Sequence, residues 1–459
     1  MERFTYRGEW FLPEAPDKTV IGTLYYNPKK SSKLDLVGTL VDFKGSELHE
    51  PTIILGLTTK GERITLYKCY QSSSSLFSGI DTCIYTINFI LIGNHYKKVE
   101  ELFFDKVSAS FEYLNEFLSV FGFSKVSHDH KNKAISIDYK LPETIKFNLS
   151  ENLSSKFIFS YSASSSKYLQ NVNIVQNSKI EIISNTSLDF NNTLRNISTY
   201  QDFITLAALS TASAISINFY KKKKQVESED NNEFEKTCLY YTPSFKEKQR
   251  TIKSSRDFLF NYNDIRENWE AVISKWFAHE EKIAPVIDLL LASFYNSGSF
   301  NENKFLNIAQ ALENFHRRTR NNLVRTKLEH SQMLDEILLS VDSKHKEWLK
   351  SRLYFSNEPT LRERLQELIN DTPSSILNKI TSDSNQLLKD TRNSRNYYTH
   401  YDPSSEKKAL KGVDLYYLSE KLRLILIIHI LFETGLSPAQ IEEVFERNHY
   451  RFFNHILTK

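Results

Sequence analysis

The chain has 459 residues and carries 59 Lys and Arg against 56 Asp and Glu, a net charge of +3. This near balance excludes a protein that binds nucleic acid over its whole surface, so any such site must be a local patch. Cysteine occurs three times, at Cys69, Cys83 and Cys238, which suits neither a disulfide framework nor a zinc cage and favours a reducing cytoplasm.

The first half of the chain is predicted to consist of β-strands. Its segments are rich in β-branched and aromatic residues, and polar or glycine turns separate them. They are TVIGTLYY, KLDLVGTLV, PTIILGLTT, RITLYKCY, CIYTINFILIG, KAISIDYK, TIKFNLS, KFIFSYSA and KIEIISNT. The pattern predicts an antiparallel sandwich or barrel-like sheet, interrupted by one helix around Thr199 to Ser210.

A polar run, KKKKQVESEDNNEFEK, occupies residues 221–236. Because SAISINFY before it and TCLYYTPS after it both have strand patterns, the run is either a long mobile hairpin loop or a domain boundary. We assign it as a mobile loop within a β-rich domain of residues 1–246. Residues 247–262, where strand patterning stops, are predicted to be a linker.

Residues 263–459 are predicted to form an all-α bundle, because apolar residues recur three and four positions apart. The last predicted helix is SPAQIEEVFERN, with Ser437 as its N-cap and Pro438 as its first residue. The most apolar segment, LRLILIIHILF, is about half of the ~20 residues needed to cross a bilayer. The N-terminus, MERFTYRGEW, is charged and aromatic, so we expect no signal peptide there. The chain is therefore predicted to be an α+β multidomain protein of the cytoplasm.

Two clusters of polar residues have alternative interpretations. His128 and His130 in SHDHKNK could bind a metal ion weakly, but no third ligand is evident, and a surface loop is the simpler interpretation. The cations of HRRTRNNLVRTK, residues 316–327, could contact phosphates. They could equally favour the dipole at the C-terminal end of a helix.

The segment TRNSRNYYTHYDP, residues 391–403, contains two arginines, two asparagines, three tyrosines and a histidine, and is either the solvated C-terminal end of an ordinary helix or a site of chemistry. An arginine precedes a histidine by five or six residues at three places in the chain, so spacing alone decides nothing. Those pairs are Arg325–His330, Arg395–His400 and Arg423–His429. Only the second pair has an asparagine directly after the arginine and tyrosines before the histidine, whereas the third lies in the most apolar helix.

Helix geometry supports the middle pair. Asn396 and His400 are four residues apart and share one helix face. Arg395 and His400 are five apart, about 140° around an ideal helix. Because Pro403 disfavours helical geometry in the residue before it, the helix should end near Tyr401. His400 would then lie in the last turn and be able to turn toward the arginine.

The segment RNYYTH resembles the Arg-polar-x3-His signature of HEPN ribonucleases. The helix FLNIAQALENFHRR is similar to the "ALE" helix of the ApeA-like HEPN branch, and GEWFLPEAPDKTVIGTLYY with ILGLTTKGERITLYKCY is similar to the N-terminal partner of that branch. The order of both halves, over nearly the whole chain, resembles the ApeA-type anti-phage defence proteins.

This resemblance implies a metal-independent endoribonuclease with no cofactor, in which Arg395, Asn396 and His400 are catalytic. It also implies 2′,3′-cyclic phosphate products, a homodimer that joins two motifs in one cleft, an N-terminal domain that senses or restrains, and a phage-derived trigger. Further candidates for RNA contact are Arg392, Arg317, Arg318, Arg320 and Tyr398. The alternatives are a non-catalytic RNA-binding or protein-interaction module, and a metal nuclease that uses His128 and His130.

Overall fold

The computed structural model describes residues 1–41, 51–75, 79–165, 170–223, 234–243, 252, 254–296 and 298–448. The chain divides into two compact units, Met1–Asn263 and Asp264–Lys459. The first is β-rich and antiparallel and the second is helical, as the sequence predicts. Within the described ranges, no helix combines the length and the apolar character needed to cross a bilayer.

The described part of the first unit contains fourteen strands. They are β1 (Phe4–Leu12), β2 (Ala15–Asn27), β3 (Lys30–Val37), β4 (Ile53–Thr58), β5 (Arg63–Ser75), β6 (Thr82–Ile92), β7 (Phe103–Phe111), β8 (Phe123–Asp129), β9 (Ala134–Tyr139), β10 (Ile145–Asn148), β11 (Leu153–Ser165), β12 (Val172–Asp189), β13 (Ala214–Lys222) and β14 (Phe234–Tyr241). Two helices, α1 (Leu114–Leu118) and α2 (Phe190–Ala208), interrupt them.

Six of these strands close into a barrel. The order β6-β3-β2-β1-β4-β5 returns to its start because β5 also pairs with β6, and all of these pairings are antiparallel. Alternate residues point inward, and Trp10, Leu24 and Leu34 are fully buried there. The indole of Trp10 occupies the space beside Gly56, where a Cβ would lie 2.3 Å from the ring.

The remaining strands of the main sheet continue from β6 in the order β14-β13-β7-β12-β11-β10. Strands β13 and β14 pair as a hairpin, with Lys222 opposite Phe234, so the polar run at 221–236 connects neighbours in one sheet. Residues 224–233 of that run lie outside the described residues. Helix α2 begins at Phe190, nine residues before the predicted start at Thr199. Asp189 caps this earlier start by accepting from the backbone N–H groups of Asn191 and Asn192.

The described part of the predicted linker 247–262 is packed in the core of the first unit. Residues 247–251 and 253 lie outside the described residues. Phe258, Leu259 and Phe260 are fully buried, and the Leu259 N–H donates to the carbonyl oxygen of Ala207 at 2.8 Å. The three consecutive apolar side chains explain this burial, since exposing them would leave a large apolar surface in water.

The described part of the second unit contains ten α-helices. They are α3 (Trp269–Tyr295), α4 (Asn301–Thr319), α5 (Lys327–Leu339), α6 (Ser343–Arg352), α7 (Leu361–Asp371), α8 (Ser374–Ile380), α9 (Ser384–His400), α10 (Pro403–Glu406), α11 (Gly412–Glu433) and α12 (Pro438–Asn448). Helix α4 packs against α3, α7, α9 and α11. The predicted start of α12 is confirmed, because the Gln440 N–H donates to the Ser437 hydroxyl at 3.2 Å.

Candidate active site

Helix α9 ends at the polar segment that the sequence singled out. The helix continues through His400, and Tyr401 then adopts a left-handed conformation with φ of 51°. Asp402 caps the next helix by accepting from the Ser404 N–H at 2.9 Å, and Pro403 is its first residue. This end lies where the proline predicted it, and it places His400 in the last turn of α9.

The three motif side chains are accessible to solvent. Arg395 has 34 % of its side chain exposed, and Asn396 and His400 are exposed. Ser394 and Tyr398 fix the opposite face of the helix in the core through the backbone of Leu410. The Tyr398 hydroxyl donates to the Leu410 carbonyl oxygen at 2.9 Å. The Leu410 N–H donates to Ser394 Oγ at 3.1 Å. Packing on one face therefore presents the motif on the other.

Arg395 forms an ion pair with α4. Its guanidinium lies 3.6 Å from the carboxylate of Glu313. The same carboxylate lies 3.7 Å from Arg317, one helical turn further along α4. Glu313 thus stands between two guanidinium groups and links the motif to the helix that carries the ALENFHRR segment. The sequence offered one signal for this role, a glutamate four residues before an arginine.

A chain of ion pairs and hydrogen bonds continues from Arg317 into the core. Arg317 lies 3.0 Å from Glu358, which lies 3.2 Å from Arg364. Arg364 and His316 are almost completely buried, and their Nη1 and Nδ1 atoms are 3.2 Å apart. A guanidinium can only donate, so Nδ1 accepts and Nε2 carries the hydrogen that it donates to Glu367 at 2.8 Å. The network fixes α4 against α7 behind the motif.

The arginines of α4 proposed for RNA contact have partners within the protein. Arg317 faces two carboxylates. Arg318 donates to a backbone carbonyl oxygen of α3 at 3.0 Å. Arg320 lies 3.3 Å from one carboxylate and 3.4 Å from another. Arg317 and Arg318 occupy the last turn of α4, where cations favour the helix dipole. Arg392, in contrast, is exposed on α9.

An open pocket of about 480 Å³ adjoins the end of α9. It is lined by Phe300, Glu302, Asn303, Tyr397, Tyr398, Tyr401 and Lys411. Tyr401 is 61 % exposed, whereas Tyr398, the tyrosine that the sequence favoured for RNA contact, is buried. The centroid of the Tyr398 ring lies 6.2 Å from that of Phe305, so the faces of the Tyr398 ring are not accessible to a base. The hydrogen bond from Lys411 to Glu406 raises the pKa of this lysine, whose ammonium lies 5.6 Å from the ring of Tyr397.

Two family models match this chain. The model described as ApeA N-terminal domain 1 matches residues 5–276, and the one described as Apea-like HEPN matches residues 306–440. The chain belongs to the ApeA family. The second match contains the whole motif and runs from α4 into α12. No curated protein and no solved structure matches the chain.

The architecture of this ApeA-type protein, a β-rich N-terminal unit followed by a HEPN unit, is that of an anti-phage defence protein.

The competing pair Arg423–His429 belongs to its core: His429 is buried, and its Nε2 lies 2.8 Å from the carbonyl oxygen of Leu368. His128 and His130 lie at the end of β8 and in the turn after it, with ring centroids 6.3 Å apart. Among the described residues, no group of three His, Cys, Asp or Glu side chains is placed to hold a metal ion.

Proposed function

We propose that this ApeA-type protein is a metal-independent endoribonuclease that acts in anti-phage defence through abortive infection. Its reacting groups are Arg395, Asn396 and His400. One observation carries the proposal: the motif side chains lie at the accessible end of α9, while Ser394 and Tyr398 anchor that helix in the core. A motif that served only packing would not leave all three polar groups in contact with solvent.

The proposed reaction is an attack of the ribose 2′-oxygen on the adjacent phosphorus. A base removes the 2′-proton, the bond from phosphorus to the 5′-oxygen breaks, and an acid protonates that oxygen. The products are a 2′,3′-cyclic phosphate and a 5′-hydroxyl, and no metal ion is required. An imidazole can serve as either base or acid near neutral pH. Arg395 stabilises the charge on the phosphoryl oxygens, and Asn396 orients His400 or a phosphoryl oxygen.

A homodimer would complete this chemistry, because one chain supplies only one imidazole from its motif. Two-fold pairing would place both copies of Arg395 and His400 around one phosphodiester, so that one histidine acts as base and the other as acid. Exposed apolar side chains near the end of α9 support an interface there: Phe300 is 77 % and Val413 59 % exposed. Such groups are stabilised when a second copy covers them.

We further propose that the N-terminal unit restrains this activity until a phage-derived trigger appears. An unrestrained ribonuclease would damage the RNA of its own cell, so the resting state should be inactive. A trigger shifts the equilibrium only if it binds the active state more tightly than the resting state. The unit that matches ApeA N-terminal domain 1 lies outside the HEPN match, which makes it our candidate for this restraint.

The test compares wild type with His400→Ala, each purified from phage-infected cells so that the restraint is released, on a mixed RNA substrate with and without EDTA. His330→Ala is a matched control, because Arg325 precedes His330 by the same five residues and both lie outside the motif. We expect wild type and H330A to cut RNA equally and H400A to lose at least 100-fold, as for other acid–base groups. Equal cutting by H400A would remove His400 from the mechanism.

The same experiment separates the alternatives. A wild-type protein that binds RNA without cutting it would favour a non-catalytic RNA-binding module. Loss of cleavage on adding EDTA would favour a metal nuclease. Sequencing of RNA ends in cells that express the protein, with and without phage, then tests regulation: we expect cyclic phosphate ends to accumulate only after infection.

A further inference from the structure

The first unit carries a pocket of about 730 Å³ on strands β1, β2 and β3. We call it the barrel pocket. It is lined by Arg3, Phe4, Thr5, Tyr25, Tyr26, Asn27, Lys30, Ser31 and Lys33. Three of these side chains are cations and three are aromatic, and no carboxylate is among them. The pocket lies within one unit and shares no residue with the motif on α9.

Strand register places the central groups of the barrel pocket in one row. Thr5 pairs with Tyr25, and Tyr25 pairs with Lys33, across three adjacent strands. All three side chains are exposed, on the outer face of the barrel, and the Tyr25 ring is 47 % exposed. Lys30 lies opposite Asn27 at the end of the same strands. The Tyr25 ring therefore presents an accessible aromatic surface to a planar ligand.

The positive charge of the barrel pocket is not compensated. Arg3, Lys30 and Lys33 are exposed, and none of them forms an ion pair with the described residues. In the next row along the same strands Arg7 and Asp35 both lie opposite Thr23, so that row carries one charge of each sign. The excess of positive charge is therefore confined to the pocket, where it surrounds an accessible aromatic ring. Such a local excess raises the concentration of anions at its surface.

We infer that the barrel pocket binds a nucleotide, either free or as one unit of a single-stranded nucleic acid. The base stacks on Tyr25, since stacking on aromatic rings is the common way in which proteins hold unpaired bases. The phosphate contacts Lys33 together with Arg3 or Lys30, which neutralise its charge. An anionic ligand without a flat ring would contact the cations but could not stack on the accessible Tyr25 ring.

This inference does not depend on the proposed ribonuclease. It concerns residues 3–33 of the unit that matches ApeA N-terminal domain 1, and it would hold if the HEPN unit had no activity. It gives the N-terminal unit a ligand class of its own. A unit that binds nucleotides or exposed single strands could report the state of nucleic acid in an infected cell.

Photocrosslinking of the full chain tests the inference. The protein carries His400→Ala, which prevents cleavage of the probe, and the probe is a ten-nucleotide RNA with 4-thiouridine at every second position. Crosslinked peptides are identified by mass spectrometry, so binding to the HEPN unit is separated from binding to the barrel. We expect a crosslinked peptide from β1, β2 or β3. Tyr25→Ala should weaken its formation roughly 5- to 150-fold in probe titrations, and Lys33→Ala should reduce its salt dependence by about one phosphate contact.

Lys60→Ala is the control, because Lys60 is an exposed cation on the turn between β4 and β5, outside the barrel pocket. Circular dichroism and thermal melting check that the variants are folded. Competition by ATP would identify a free nucleotide as a sufficient ligand, whereas competition only by unlabelled strands would identify nucleic acid. The inference is overturned if no barrel peptide is crosslinked, if Tyr25→Ala and Lys33→Ala behave like Lys60→Ala, or if a poly-glutamate peptide competes as well as RNA does.

Discussion

The guanidinium of Arg395 and the carboxylate of Glu313 lie 3.6 Å apart and join the end of α9 to α4. An arginine has five donors, so one carboxylate leaves others available for a phosphate. The pair therefore orients Arg395 without occupying it. We expect Glu313→Ala to lower kcat for RNA cleavage roughly 10- to 100-fold, because a misplaced catalytic group loses much of its effect, with a smaller change in KM.

Glu347→Ala controls for the loss of one negative charge, since Glu347 is exposed on α6. Glu313→Gln keeps an acceptor for Arg395 and should retain more activity than Glu313→Ala. Cleavage by the alanine variant at or above the wild-type rate would contradict a positioning role and would instead make Glu313 a restraint on Arg395.

The buried guanidinium of Arg364 holds the network behind the motif. It lies between Glu358 and His316, and replacing it with methionine removes one partner from each and leaves the buried Nδ1 of His316 without its donor. Removal of one member of a buried pair is costly, but Glu358 is partly exposed, so we expect a loss of about 2 to 3 kcal/mol in the free energy of unfolding. Urea denaturation measures this loss. Arg362→Met, on the exposed side of the same helix, should change it by less than about 0.5 kcal/mol. Equal stability of the two variants would show that the network does not stabilise the fold.

The sequence predicts those features that depend on neighbouring residues. Alternation of apolar and polar residues located most of the strands, and the proline at 403 located the end of α9. The motif was recognisable because its members lie within six residues of one helix. Closure of the barrel was harder to predict from the sequence, since it depends on the pairing of β5 with β6 in addition to the linear order of strands in the sheet.

Features that depend on distant residues could not be predicted. Tyrosine occurs at positions 397, 398 and 401. Only the contacts of Tyr398 with Phe305 and Leu410 decide that it is the buried one. Similarly, the sequence left the cations around the end of α4 open to RNA, and folding then brought Glu358 to Arg317 and carboxylates of α7 and α11 to Arg320. Arg320 meets Glu433, a residue 113 positions away.

The open pocket at the end of α9, lined by Tyr397, Tyr398 and Tyr401, should hold a base next to the cleaved phosphodiester. Tyr401 has the most accessible ring and lies directly after His400. Replacing it with alanine should raise KM roughly 5- to 150-fold through loss of stacking, with little change in kcat, as measured on a short RNA. Tyr401→Phe keeps the ring and should behave like wild type. A fall in kcat with unchanged KM would place Tyr401 in the reaction itself rather than in substrate binding.

The stability of the helical unit should fall at mildly acidic pH because of His429. Burial lowers the pKa of this histidine to about 4 from its usual 6.5, and its Nδ1 has no hydrogen-bond partner among the described residues. The unfolded chain binds the proton more readily, so this contribution is complete above pH 6.5 and is lost as the pH falls toward 4. The shift corresponds to roughly 3 kcal/mol.

Thermal melting at pH 7.5 and pH 5.0 measures this dependence. His429→Gln keeps an N–H donor for the Leu368 carbonyl oxygen but does not titrate, so its melting temperature should fall less between the two values. An equal fall in wild type and variant would assign the acid sensitivity to other groups, of which His279, whose pKa is also lowered by burial, is the next to replace.

A mixing experiment distinguishes a shared cleft from two independent sites. When wild type and His400→Ala are exchanged in equal amounts at random, about one quarter of the dimers contain two wild-type chains and about one half contain one. If cleavage needs both copies of His400, one as base and one as acid, the specific activity should fall to about one quarter of that of wild type. Independent sites would leave about one half. Exchange is verified by native mass spectrometry of a tagged and an untagged chain, and an equal mixture with His330→Ala, which should keep full activity, controls for the handling. A monomeric, fully active protein would contradict the shared cleft directly.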